Sequence, residues 1–201
     1  MPIIFPVTSP TPFKTQQVTW KQVSVVSFAM SPFTGQRQVQ KMQAQYWEFD
    51  LTLPPLLRVN AQAVAAFLLS LNGSEGTFYY GPVLDAIPLG IGTGTPLVNG
   101  ANQTGQDLVT DGWTPNTPGI LKAGDWVQVG QYLHRNLVDV NSDATGHATL
   151  SLWPMIRPNV ADNTTIITRN PVGIFYLINC PSYDISSGQI FSFKISARES
   201  L

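Results

Sequence analysis

Apolar and polar positions alternate strictly from Trp47: Trp47, Phe49, Leu51 and Leu53 against Glu48, Asp50 and Thr52. That is the period of a half-buried strand. Pro54-Pro55 then removes two backbone donors and ends it. The period changes next to that of a helix. Asn60 is placed as the N-cap, and Val64, Phe67, Leu68 and Leu71 fall at i, i+3, i+4 and i+7 on one apolar stripe. Asn72-Gly73 supplies a left-handed stop, and residues 77–80 read as the following strand.

Ahead of this unit, residues 18–28 are rich in β-formers, with Thr19, Lys21 and Val23 alternating against Trp20, Gln22 and Ser24. Ser31-Pro32-Phe33-Thr34-Gly35 has the composition of a turn. Residues 36–45 repeat glutamine and add Arg37 and Lys41, too polar for a core strand. They read as one limb of a long hairpin returning into the Trp47 strand. Residues 1–16 carry Pro2, Pro6, Pro10 and Pro12 between apolar residues. This is an extended arm, either laid along a neighbouring subunit or a loose terminus.

After Tyr80 the composition loosens. Gly81-Pro82, Pro88 and the Gly90, Gly92, Gly94 spacing make a loose connector. Such glycines invite a phosphate-loop reading, but that fingerprint needs a strand before it, a helix after it and a correctly placed third glycine. The connector reads instead as a hinge into an inserted region. Residues 96–168 look all-β, with strands at 126–129, 133–140, 148–153 and 164–168. Turns are placed at Gly124-Asp125, Gly130-Gln131, Asp143 to Gly146 and Pro154 to Pro158. Short strands at this spacing form a small barrel or sandwich. Longer strands return at 172–178 and 190–197, the last with Phe191, Phe193 and Ile195 on one face. Their pairing with the first half of the chain makes the core discontinuous. Residues 1–87 and 169–201 are expected to form the core domain, and residues 88–168 an inserted one.

Composition narrows the class. The 201 residues allow one domain, or a core domain carrying a smaller one. Charged residues make up 11% of the chain, under half the usual quarter, while the apolar share of 43% is ordinary. A surface that is polar without being charged fits a protein covered by neighbours, because charge is depleted at the centres of stable interfaces. A neutral soluble domain is the plainer account. Net charge −1 with no Lys/Arg run argues against a nucleic-acid partner, since counterion release needs clustered cations. No apolar run approaches a membrane span, and the proline-broken N-terminus lacks the basic region of a signal peptide. Cys180 stands alone, which excludes an intramolecular disulfide and a cysteine metal cluster and fits assembly in a reducing cytoplasm.

No chemistry emerges from the remaining motifs. Asp139, Asn141, Asp143 and Thr145 repeat oxygen ligands like the start of a calcium loop. However, Ala144 stands where the sharp turn needs glycine, and Leu150 where the bidentate glutamate belongs. Asp143 to Gly146 is better read as a hairpin turn. His134 and His147, at unrelated spacing, define no zinc site. Glu48 and Asp50 lie roughly 7 Å apart on one strand face, where solvent-facing charges are the simpler account than a catalytic pair. Trp20, Trp113, Trp126 and Trp153 could stack on sugars, although tryptophans in β proteins mostly serve cores and interfaces. Neither enzyme, cofactor nor metal is expected.

A family resemblance enters on longer runs: SPFTGQ (31–36), WEFDLTLPPL (47–56), AFLLSLNGSEGTF (66–78), GDWVQVG (124–130), DVNSDATGHATLSLWP (139–154) and NPVGIF (170–175). Together they resemble the distal tail and tail-tip ring proteins of long-tailed, non-contractile bacteriophages. The resemblance implies a mainly β fold: a tail-tube-like β-sandwich core with one flanking α-helix, plus an inserted small β-barrel of oligonucleotide- or oligosaccharide-binding type. It also implies a virion structural protein, a hexameric ring joining the tail tube to the tail tip or baseplate. Its partners would be the tail tube protein and tail-tip hub proteins, with DNA passing through the lumen without specific binding. The candidate subunit interface is then the polar limb, with Gln36, Arg37, Gln38, Gln40, Lys41 and Gln43. The alternative is a tail-tip module binding host glycan through Trp113, Trp126 or Trp153 of the insertion.

Overall fold

The computed structural model describes residues 3–10, 15–157 and 160–201, with the side chains of Lys41 and Gln43 also left undescribed. Its strands are β1 (Gln17–Met30), β2 (Arg37–Thr52), β3 (Leu56–Leu57), β4 (Thr77–Tyr80), β5 (Gly94–Val98), β6 (Gly105–Trp113), β7 (Trp126–Val129), β8 (Tyr132–Asn136), β9 (Ala148–Ile156), β10 (Ile166–Ile167), β11 (Gly173–Leu177), β12 (Ser182–Ile185) and β13 (Ile190–Glu199). One helix, α1 (Arg58–Ser70), follows β3. The fold is mainly β.

A seven-stranded sheet runs β1-β2-β13-β11-β4, with β3 and β12 also paired to β13. Residues 17–80 and 173–199 supply it, so its strands come from both ends of the chain. The alternating Trp47 stretch is an interior strand, held by β1 on one side and β13 on the other. A six-stranded second sheet, β10-β7-β8-β9-β6-β5, curls until its ends meet. Val98 donates to Thr164 O at 3.0 Å and Asn163 to Val98 O at 2.9 Å, which nearly closes a small barrel.

Helix α1 buries Ala61, Val64, Phe67 and Leu68 against the first sheet, with the Phe67 ring edge-on to Phe78 at 5.7 Å. Asn72 (φ 49°) and Gly73 (φ 72°) take the expected left-handed stop, and Gly76 N–H donates back to Leu71 O. The helix start differs from expectation. It begins at Arg58 with Leu57 at the N-cap and no side-chain cap, so Asn60 lies inside the helix. Pairing of Leu56 and Leu57 with Phe191 and Ile190 holds the chain up to the helix entrance, so backbone pairing rather than a cap sets the start.

Three other expectations shift. The turn at Pro154 is absent: β9 runs through it, at the irregularity where four residues of β9 face one of β6 and a missing donor is tolerated. Pro158 lies outside the described residues. The strand expected at 133–140 ends at Asn136. The connector is not loose. The buried Asp125 carboxylate accepts the backbone N–H groups of Leu89, Gly90 and Lys122 at 2.7–3.0 Å. A Cβ at Gly90 would lie 2.5 Å from Ile120 O, so that glycine serves a close backbone approach. The N-terminal arm, where described, lies on its own sheet. Val7 exchanges hydrogen bonds with Thr77 O and Tyr79 N–H on β4, and Phe5 packs against the core. Pro2 and Pro12 are outside the described residues.

The two sheets share apolar packing, because Trp126, Leu133 and Trp153 of the second join the core of the first. A polar clamp lies beside them. Glu199, fully buried, receives both Arg157 guanidinium nitrogens at 3.0 and 3.2 Å and the Trp47 backbone N–H at 3.2 Å. Arg157 also donates to Gln45 O and covers the Tyr132 ring at 4.3 Å. Nearby, buried His134 donates through Nδ1 to Pro154 O at 2.8 Å.

Burial, with a smaller contribution from the Arg157 charge, pushes the His134 ring from its ordinary 6.5 down to about 4. The unfolded chain therefore binds a proton that the folded one refuses between these values. Stability is complete above pH 6.5 and falls as pH drops toward 4, by about 3 kcal/mol for this group. Thermal melts across that window should show a falling Tm that His134→Gln flattens; a wild-type Tm unchanged from pH 6.5 to 4.5 would contradict a neutral buried ring. Asp50 and Asp143, whose carboxyls are held low by Lys21 and Thr145 respectively, act in a separate window below about pH 4.

Candidate functional site

Paired strands β1 and β2 form one continuous ladder from Gln17 opposite Thr52 to Met30 opposite Arg37. A tight turn closes it, with Gly35 (φ 67°) N–H donating to Ser31 O and Ser31 N–H to Gln36 O. Past Ser24 and Gln45 the ladder leaves the body. There three residues of β2 (42–44) face Val25 alone, a bulge at the point of departure. From Val25 to Met42 every described side chain except Ser31 is exposed. The ribbon therefore projects roughly 20 Å with neither face covered.

Its two faces differ in chemistry. Because side chains alternate and an even number of extra residues preserves the parity, the inward row of the sheet continues into the ribbon. Trp20, Gln22 and Ser24 lead on to Val26, Phe28 and Met30, with Val39 opposite Phe28 and Arg37 opposite Met30. Phe28 is 64% and Met30 66% exposed, and the Arg37 guanidinium sits 5.0 Å above the Phe28 ring. The outward row carries Val25, Ser27 and Ala29 with Gln38 and Gln40. The six polar-limb candidates are thus divided. Gln36 is in the turn, Arg37 is on the apolar row, Gln38 and Gln40 are on the polar row, and Lys41 and Gln43 have side chains outside the description. Val26, Phe28, Met30 and Val39 form an exposed apolar row that lies outside those six candidates. Their signal was present in the alternation of Val26-Ser27-Phe28-Ala29-Met30.

A second exposed apolar surface lies on the connector. Val83, Leu84, Ile87, Leu89 and Ile91 all face solvent, Leu89 at 85% exposure. The loop is nonetheless pinned, by Asp125 as above, by Ile91 N–H to Gly119 O, and by Asn170 N–H to Ala86 O. Asp85 within it accepts the Trp126 indole N–H at 2.7 Å.

The three tryptophans considered for glycan contact are enclosed. Trp113 is 3% exposed in the barrel core, donating to Thr110 Oγ1. Trp126, 2% exposed, lies 4.9 Å from Trp20 and 4.8 Å from Trp47, with the Arg135 guanidinium 4.9 Å away over its ring. Trp153, 6% exposed, meets Trp47 edge-on at 4.4 Å. The Trp126 and Trp153 rings join the core of the first sheet, the Trp113 ring stays inside the barrel, and none of the three is open to solvent. Trp153 only borders a recess at the hairpin root, with Trp20, Gln22, Trp47, Arg135 and Leu137.

The calcium-like run is spent on local structure. Asp139 pairs with Lys122, Asn141 accepts the Gly119 N–H, and Asp143 accepts the Thr145 and His147 N–H groups. The Thr145 hydroxyl, then the His147 and Thr145 backbones, hold the Asp143 carboxyl down to about 2. Among the described residues no group of three His, Cys, Asp or Glu side chains converges on a metal position, and no helix is long and apolar enough to cross a membrane.

Compared with known proteins, the chain matches no family model and no curated protein.

Proposed function

We propose that the chain is a virion structural protein: the subunit of a hexameric distal tail ring joining the tail tube to the tail tip or baseplate of a long-tailed phage. Its work is mechanical. The ring encloses a lumen through which DNA passes, and the subunit is assembled in the host cytoplasm before joining the virion. The observation that carries this reading is the free ribbon of β1 and β2. A two-stranded ribbon with no second layer is at best marginally stable in water, and this one exposes an apolar row as well. Both features are resolved when other subunits cover it. The sparse surface charge and the family resemblance of residues 31–175 point the same way. The outward row, with Gln38 and Gln40 and no cation, is suited to a lumen that must not hold phosphate.

Native mass spectrometry of the purified chain, with electron microscopy, tests the proposal. The expected result is a closed six-fold ring with a central hole. A strict monomer at high concentration, together with absence from phage particles, would overturn it.

A further inference from the structure

We propose that the apolar row of the hairpin on one copy packs on the aliphatic 82–91 loop of the next copy, in a head-to-tail contact. This deepens the ring reading and rests on it. Four observations carry it.

The row Val26, Phe28, Met30 and Val39 is the direct continuation of the core-facing side of the sheet, so it has the character of a layer whose opposing layer is missing. The loop presents Val83, Leu84, Ile87, Leu89 and Ile91 on a backbone already held by hydrogen bonds, so little ordering cost remains when it is covered. Among the described residues neither surface is covered within its own subunit. Asp85 of the loop bonds Trp126, which packs on Trp20 at the hairpin root, whereas the apolar row runs roughly 20 Å away from that root. Their charges also agree: between residues 22 and 45 the chain carries only Arg37 and Lys41, while residues 81–92 carry only Asp85.

The symmetry required by a ring selects the same arrangement. A contact between two different patches propagates and forms a ring when its rotation closes, whereas a hairpin-to-hairpin contact is two-fold and stops at a dimer.

The test uses the full chain as wild type, Phe28→Asp and Leu89→Asp, with Met30→Asp and Ile87→Asp as second variants on each surface. All four positions are exposed, so circular dichroism melts should match wild type. A carboxylate at the centre of either apolar contact should weaken association about 30-fold or more. Each variant alone is then expected to run as a monomer where wild type forms rings. An equimolar mixture of Phe28→Asp and Leu89→Asp should give one-to-one heterodimers and nothing larger, since one intact hairpin meets one intact loop. If wild type forms rings while Leu89→Asp and Ile87→Asp do so equally well, or the mixture stays monomeric, the docking is overturned and the ring reading stands. A wild type that remains monomeric throughout overturns both.

Discussion

Replacing Leu68 by aspartate is expected to abolish soluble expression of the chain. Leu68 is 4% exposed on the face of α1 that covers the first sheet, beside Ala61, Val64 and Phe67. Removing its side chain alone would cost about 3–5 kcal/mol, as in buried leucine-to-alanine changes. Placing a carboxyl there without a partner adds about 2–7 kcal/mol more. A domain of this size has about 5–15 kcal/mol in total, so the sum reaches the whole of its stability. Leu69→Asp is the control. That side chain is 77% exposed one position along the same helix, and its change should move stability by under about 0.5 kcal/mol. Soluble yield and near-ultraviolet dichroism read the outcome; a soluble, native-like Leu68→Asp would refute the packing of α1 on the sheet.

The second large effect is expected at Glu199. Changing it to alanine strips the mostly buried Arg157 guanidinium of its ion-pair partner and leaves the Trp47 N–H without an acceptor. Breaking one side of a buried pair costs about 3–5 kcal/mol, because the remaining charge stays desolvated. Urea unfolding should show that loss. The double variant Arg157→Met with Glu199→Ala should regain part of it, since no unpaired charge then remains. Equal midpoints for the single and double variants would mean that the guanidinium finds other partners. The same clamp joins Gln45 at the hairpin root to Met155 of the second sheet and to Arg157 just after it, so Glu199→Ala should also loosen the hairpin root.

Much of the fold was legible because its signals are local. The Trp47 alternation, the stop at Pro54-Pro55, the helical stripe and the Asn72-Gly73 reversal each depend on a few neighbouring residues, and each occurs where the pattern places it. The helix start was misplaced because a non-local pairing, Leu56–Leu57 with β13, overrides cap preference. Strand β6 escaped notice because Gln106, Asp107, Thr110 and Asp111 dilute its apolar positions, although Leu108, Thr110 and Trp113 are buried. Asp125 and Glu199 gave no local sign of being buried anchors. Leu89 lies 36 residues from Asp125, and Arg157 and Trp47 lie 42 and 152 residues from Glu199.

The hairpin shows where the two kinds of information divide. The sequence by itself determined that residues 18–28 and 36–53 are strands, that a turn joins them, and which positions share a face. It could not say which part of that face would be covered. Trp47, Phe49 and Leu51 lie on the same side of the same strand as Arg37 and Val39, yet the former group is buried and the latter exposed. The physical reason is that alternation is a property of one strand, whereas burial depends on what lies opposite. Near the body, Trp126 and Trp153 of the second sheet close over the row; beyond Ser24 none of the described residues covers it. Only the tertiary structure decided that boundary. It shows an exposed apolar row on the face opposite Gln38 and Gln40.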